Sequence, residues 1–243
     1  MNKVIVITGG TSGIGKYLVE QYIKLDNKVY IISKDSSKIE KVKKEINNEN
    51  TIFIKADLTK DSDIKKAFKT ISNKEKNIDL LINNAAYDKM QSIEDFEYNE
   101  FDKVVSTNLL GKMFCIKYAL PLLKKSNYPS IINIASRLSE KPMIDSSAYC
   151  CAASSIVMLT KCAALELEKY KIRVNCISPS LTLTPLSIKS YTKEEINSTI
   201  DKSTRKRLCE PQDIFELIEF LHSKKSDYIN GENIGLNGGL LLK

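Results

Sequence analysis

The most constraining feature of this chain is a glycine-rich turn directly after an apolar run at its N-terminus. Val4-Ile5-Val6-Ile7 is continuously apolar, as a strand buried on both faces should be. It leads into Thr8-Gly9-Gly10-Thr11-Ser12-Gly13-Ile14-Gly15, and an amphipathic pattern follows to about Leu25. A strand, a glycine turn and a helix start make the setting in which backbone N–H groups and a helix dipole hold phosphate. Gly9 suits the tight turn out of the strand. Gly13 lets a pyrophosphate approach the backbone, and Gly15 allows close helix–strand packing. Gly-x-x-x-Gly-x-Gly is not the Gly-x-Gly-x-x-Gly spacing, so position after the strand carries much of the argument.

The rest of the chain alternates in the same way. Strands are predicted at Lys3–Thr8, Lys28–Ile32, Thr51–Ile54, Ile78–Ile82, Ser130–Ala135, Ile172–Ile177 and Asn233–Leu236. Helices are predicted between them, including two long ones over Asn99–Lys125 and Ser147–Tyr170, and one over Pro211–His222. Regular alternation implies right-handed crossovers. The expected fold is α/β: a Rossmann-type, doubly wound, mostly parallel sheet of about seven strands with helices on both faces. At 243 residues, with no proline-rich linker or repeat, a single domain over 1–243 is expected. Ser180–Arg207 is the least patterned stretch and reads as a substrate lid or a variable surface loop.

The end of the second strand bears on the ligand. An NAD site places a carboxylate there for the ribose 2′-hydroxyl. Here Ser33 stands at that point and Lys34 follows, a pair suited to a 2′-phosphate. NADP(H) is therefore favoured and NAD(H) stays open, since a shift of one residue brings Asp35 into play.

Bulk properties narrow the class. The net charge of +7, from 37 basic and 30 acidic residues, comes from lysines spread along the chain. No recognition motif accompanies it, so nucleic acid is not an expected partner. Strongly salt-dependent retention on DNA would revive that reading. No apolar run of membrane-spanning length is read, and Met1-Asn2-Lys3 enters a strand at once. A cytoplasmic protein without membrane contact is expected. The six cysteines, Cys115, Cys150, Cys151, Cys162, Cys176 and Cys209, include no Cys-x-x-Cys pair and read as reduced packing residues. His222 is the one histidine and reads as structural, so no metal site is expected.

Together these segments resemble the short-chain dehydrogenase/reductase family over nearly the whole chain. Thr8-Gly9-x-x-x-Gly13-Ile14-Gly15 matches its cofactor motif, and Asp57 in Ala56-Asp57-Leu58 its adenine contact. Asn83-Asn84-Ala85-Ala86 matches Asn-Asn-Ala-Gly, with Ala86 for the glycine. Asn108, Ser136 and Tyr149 match three members of the catalytic tetrad. Arg173-Val174-Asn175, Ser178-Pro179 and Thr184-Pro185 match the segment beside the nicotinamide, and Asn237-Gly238-Gly239 the C-terminal signature. The resemblance implies a cofactor site built from Gly9, Thr11, Ser12, Gly13, Ile14, Gly15, Ser33, Lys34, Asp57, Leu58, Asn83, Ala85, Pro179, Thr182 and Thr184. It implies hydride transfer between a nicotinamide and a carbonyl or alcohol carbon. Tyr149 would handle the hydroxyl proton, Ser136 would hold the substrate oxygen and Asn108 would hold a water of the proton relay. It further implies a homodimer or homotetramer packed through the two long helices, where Ala152, Ala153, Ala163 and Ala164 permit close approach. The length and short C-terminus resemble the bacterial 3-oxoacyl-acyl-carrier-protein reductases of the family. That would make an acyl thioester a substrate candidate, with Lys124, Lys125 and Arg173 available to an acidic carrier.

One tetrad position departs from the family. Its helix lysine falls four residues after the tyrosine, and this chain has Ala153 there. A tyrosine with an ordinary pKa near ~10 needs a neighbouring cation to work at neutral pH. Lys161 lies twelve residues beyond Tyr149, about 18 Å along a helix, and cannot reach. Arg137 and Lys141 would need a loop rearrangement. Losing such a group should slow turnover by roughly 10²–10⁴-fold. Three explanations stay open: an introduced Lys→Ala substitution, a divergent enzyme with a relocated cation, or a nucleotide-binding pseudoenzyme. A single replacement in an otherwise intact set favours the first.

Overall fold

The structure is a computed structural model that describes residues 2–184, 187–188 and 191–242. Seven strands form one sheet: β1 Val4–Thr8, β2 Lys28–Ser33, β3 Thr51–Lys55, β4 Leu80–Asn83, β5 Ser130–Ile134, β6 Arg173–Pro179 and β7 Asn233–Leu236. Their order is β3-β2-β1-β4-β5-β6-β7, and every pairing is parallel. This is the doubly wound Rossmann-type architecture. Its strand order reverses between β1 and β4, where open α/β sheets bind ligands beyond the strand ends.

Strand side chains alternate between two cores. Val4 and Val6 join one cluster, and Ile5 and Ile7 the other. Helices α1 (Gly13–Lys24) and α2 (Ser36–Ile46) cover one face. Helices α3 (Asp61–Ser72), α5 (Gly111–Leu123) and α6 (Ser147–Leu167) cover the opposite one. Helix α4 (Tyr98–Val105) packs at the strand ends through Val104, against Ala148 and Ala152 of α6.

The structure departs from the sequence reading in three places. The region predicted as one helix over Asn99–Lys125 is α4 and α5 joined by a π-helical turn at Ser106–Leu110, where the Gly111 N–H reaches the Ser106 carbonyl. The stretch read as a patternless lid contains α7 (Lys193–Lys202), fixed by a capping box between Thr192 and Glu195. Helix α8 (Pro211–Leu221) follows and joins the α1 side of the sheet. Finally, Ser147–Tyr170 is long and apolar enough to cross a membrane by length and composition. Its inner residues, from Ala148 to Leu167, are buried against the sheet and α4, so its apolar character serves a core.

Candidate active site

The phosphate cradle is assembled at the β1–β4 switch point. Gly9 has φ +71°, and a Cβ on it would lie 2.8 Å from the Ala85 Cα. A Cβ on Gly15 would lie 2.3 Å from the Gly9 carbonyl oxygen, so helix α1 can start here only on glycine. The turn is tied to β4 by two residues. The Thr8 hydroxyl accepts the N–H groups of Asn84 and Ala85, each at 3.0 Å, and the Asn84 amide donates to the carbonyls of Thr8 and Gly9. Ser12 sits at the N-cap of α1 in extended backbone with no capping bond from its side chain. The helix therefore opens with N–H groups available to an anion. Thr184 stands beside Gly13, its methyl 3.4 Å from where a Cβ would be. Ile14 packs into the α1-side core, and Thr182 is buried and bridged to Cys209. Pro179 closes β6 beside Leu236. A cradle that a Cβ would fill, ending on an uncapped helix start, fits a dinucleotide pyrophosphate.

Beyond the cradle, Thr11 and Ser33 share a hydroxyl–hydroxyl hydrogen bond at 3.0 Å. Lys34 is exposed, with its ammonium 5.7 Å from the Tyr87 ring centre. Asp35 caps α2: its carboxylate accepts the N–H groups of Ser37 and Lys38 and the Ser37 hydroxyl. Burial works against the Asp57 carboxylate. The Thr59 N–H and hydroxyl, with Lys34 and Lys60 nearby, outweigh it and hold the group below its usual range. Leu58 is buried under Gly111, where a Cβ would come within 2.9 Å of it. Asn83 needs a correction. Its side chain is buried, donating to Asn133 and to the Lys112 carbonyl, so it ties β4 to its neighbours instead of facing the groove.

Ser136, Tyr149, Asn108 and Ala153 converge beyond the end of β5. The Ser136 hydroxyl accepts the Leu138 N–H at 3.2 Å and lies near enough to Tyr149 to favour its ionised form. Burial pushes the Tyr149 hydroxyl well above its ordinary pKa. Asp88, Tyr191 and Cys150 reinforce that, while Ser136 opposes it. Asn108 lies in the π turn and is pinned by Tyr87, accepting its N–H and donating to its carbonyl, both at 2.8 Å. Ala153 is buried and lines a small cavity with Asn108 and Tyr149. Lys112, from α5, lines the same cavity, and sequence reasoning missed it. Thr8 and Asn84, which hold the cradle, were missed as well. Asn84 lay within a quoted motif, whereas no spacing pointed to Lys112.

Several other expectations change. Arg173 is buried, donating to the carbonyls of Leu221, Ser226 and Ile229, and cannot serve a carrier protein. Lys124 lies 3.6 Å from the Tyr170 ring centre. Cys115, Cys176 and Cys209 are buried packing residues, but Cys151 and Cys162 are exposed. Ala152, Ala153, Ala163 and Ala164 are buried within the chain itself, so they do not form an outer packing face. His222 is buried, with its Nδ1 2.7 Å from the Ser130 hydroxyl. Of the lid residues, Leu183 and Ile188 are exposed, and Leu181 and Tyr191 half-buried. Pro185 and Leu186 lie outside the described residues.

Comparison with known proteins agrees with this geometry. Residues 3–195 match the family described as short chain dehydrogenase. A 3-oxoacyl-acyl-carrier-protein reductase of Staphylococcus epidermidis is 29% identical, with 100% of both chains covered. The solved structure described as ElxO with NADP bound has a TM-score of 0.91 at 28% identity, covering 100% of both chains. A 3-ketoacyl-acyl-carrier-protein reductase from Brucella melitensis complexed with NADH has a TM-score of 0.89 at 30% identity, covering 98% of each. This chain belongs to the short-chain dehydrogenase family.

Proposed function

We propose that this protein is an NADP(H)-dependent oxidoreductase that interconverts a carbonyl and an alcohol. The observation that carries the reading is the enclosed Tyr149 hydroxyl, with Ser136 near enough to favour its ionisation, set at the same strand ends as the glycine cradle. A bound nicotinamide would supply or accept the hydride. Gly9, Thr11, Ser12, Gly13, Ile14, Gly15 and Thr184 would hold its pyrophosphate, with Asp57, Leu58, Ala85, Pro179 and Thr182 around the remainder.

Ser136 orients the substrate oxygen, and Tyr149 gives or takes the proton at that oxygen. Asn108, fixed by Tyr87, keeps the relay side of the site in place. Ser33 with exposed Lys34 favours a 2′-phosphate, and Asp35 is engaged in capping α2. The structural neighbour with NADP supports that preference, and the neighbour with NADH keeps the other cofactor as the arm to test. Similarity to carrier-protein reductases, with the apolar Leu183 and Ile188 near the cleft, supports a partly apolar ketone or 3-oxoacyl thioester. Met113 of α5 and Met158 and Leu165 of α6 are exposed and support a homodimer or homotetramer through those helices. A cytoplasmic enzyme of one domain over 1–243 completes the reading.

Ala153 favours a second reading, a nucleotide-binding protein without turnover. Titration with NADPH and NADH by fluorescence, followed by cofactor oxidation against ketones and 3-oxoacyl thioesters, separates the two. The reductase reading expects tighter NADPH binding and turnover that Tyr149→Phe abolishes. Tight binding with no turnover on any carbonyl supports the second reading, and no nucleotide binding sinks both.

A further inference from the structure

Lys112 is an unusual residue for its position. It lies in the first turn of α5, four residues after Asn108, and is 2% exposed. Its ammonium donates to the carbonyl of Ile134, the last residue of β5. The ionisable groups that act on it are the thiols of Cys115, on its own helix, and Cys176, on β6. Burial pushes those thiols up to about 12 and about 11, so both are neutral at pH 7. Among the described residues no anion offsets the buried charge of Lys112, an arrangement that costs stability. Burial lowers its own pKa to about 8, which still leaves it protonated at neutral pH.

The cavity beside Lys112 is the one beside Tyr149. Asn108, Lys112, Ile134, Tyr149, Ala152 and Ala153 line it, and its volume of about 10 Å³ is near what one water molecule requires. The alanine at 153 removes from α6 the side chain that would otherwise extend here. A lysine at 153 beside Lys112 would set two ammonium groups against one small cavity. The alanine on one helix and the lysine on the other therefore account for each other.

We propose that Lys112 supplies from α5 the cation that position 153 lacks, acting across the shared cavity to favour the ionised form of Tyr149. This rests on the oxidoreductase reading. Lys112 is a positioning residue here, since it acts through Tyr149 and not on the substrate. Lys112 meets Tyr149 through the cavity that both line. The groups that act directly on Tyr149 are Asp88, Tyr191, Ser136 and Cys150. Asp88 and Tyr191 hinder its ionisation, and none is a cation.

The test uses the full chain loaded with NADP+. Ionisation of Tyr149 is read as tyrosinate absorbance, by difference from Tyr149→Phe, with and without Lys112→Met. Lys112 can favour tyrosinate only below about pH 8, where it is charged. The proposal therefore expects tyrosinate to form in that range in the starting protein and about one pH unit or more higher in Lys112→Met, with turnover lower by roughly 10²–10⁴-fold. The exchanged variant Lys112→Val/Ala153→Lys should recover turnover to within about tenfold of the starting protein. An unchanged Tyr149 titration in a folded Lys112→Met protein overturns the proposal, whatever happens to turnover. If Lys112→Met does not fold, the exchanged variant decides: turnover supports the proposal, and a folded, inactive exchange overturns it. Should no variant oxidise NADPH, the oxidoreductase reading fails, while the titration still decides what Lys112 does to Tyr149.

Discussion

Lys112 and Ala153 line one small cavity from two different helices, the first carrying a buried charge and the second no reach at all. The stability consequence is separate from catalysis and has a defined sign. Lys112 titrates at about 8 in the folded chain against an ordinary 10.5. A lowered pKa gives a contribution fully present above 10.5 that is lost as pH falls to about 8. The folded protein should therefore gain stability between pH 8 and 10.5, by on the order of 3 kcal/mol from this group. Urea unfolding across that range should show the gain in the starting protein and not in Lys112→Met. At pH 7 the variant should be at least as stable. Equal slopes for the two proteins would mean that Lys112 is not the buried cation described.

The glycines of the cradle should separate by what surrounds them. At Gly15 a new Cβ meets backbone 2.3 Å away, which cannot yield without moving the β1 turn. Gly15→Ala is expected to weaken NADPH binding by tenfold or more and to lower the melting temperature. At Gly13 the nearest atom is a threonine methyl at 3.4 Å, an ordinary contact, and the cost is the left-handed backbone at φ +51°, of about 1 kcal/mol. Gly13→Ala should therefore fold nearly normally and lose affinity for the nucleotide. Fluorescence titration beside thermal melting distinguishes them, and equal melting losses in both would contradict this account.

Much of this architecture was legible in the sequence because it rests on local rules. Continuous apolar runs such as Val4–Ile7 mark buried parallel strands, and the glycine turn marks the switch point. The departures have physical causes. The π turn at Ser106–Leu110 carries no break in hydrophobic pattern, so Asn99–Lys125 read as one helix. Helix α7 has no buried residue and so lacks an apolar stripe, although its Thr192–Glu195 capping box was readable. Lys112 was hidden among the other lysines of the chain. What singles it out is that α5 meets α6 at the end of β5, a tertiary fact that no spacing from Tyr149 encodes.

Cofactor preference should follow the end of β2. Lys34 is exposed and Ser33 is half-buried beside Thr11, whereas the Asp35 carboxylate is held by the first turn of α2. Lys34→Ala should weaken NADPH binding and leave NADH nearly unchanged, since a 2′-phosphate contact is lost. Ser33→Asp should invert the preference by placing a carboxylate at the ribose. Asp35→Ala should lower stability through loss of the cap and leave the NADPH/NADH ratio alone. A ratio that moves with Asp35 and not with Ser33 or Lys34 would reassign the ribose contact.

His222 gives a clean acid-side test, because it is the one histidine in the chain. It is buried, with Nδ1 at 2.7 Å from the Ser130 hydroxyl and Nε2 without a hydrogen-bond partner among the described residues. Burial, with the positive charges of Lys3 and Arg173 nearby, lowers its pKa from 6.5 to about 3. The unfolded chain takes up a proton near pH 6.5 that the folded chain refuses. The contribution of the neutral ring is thus complete above pH 6.5 and lost as pH falls towards 3. Melting temperatures should decline from about pH 6.5 downward, before the carboxylates begin to protonate. In His222→Gln, which keeps a polar partner for Ser130, the decline between pH 6.5 and 5 should flatten. If the variant declines as steeply as the starting protein, another group governs acid sensitivity and the buried histidine is not held neutral.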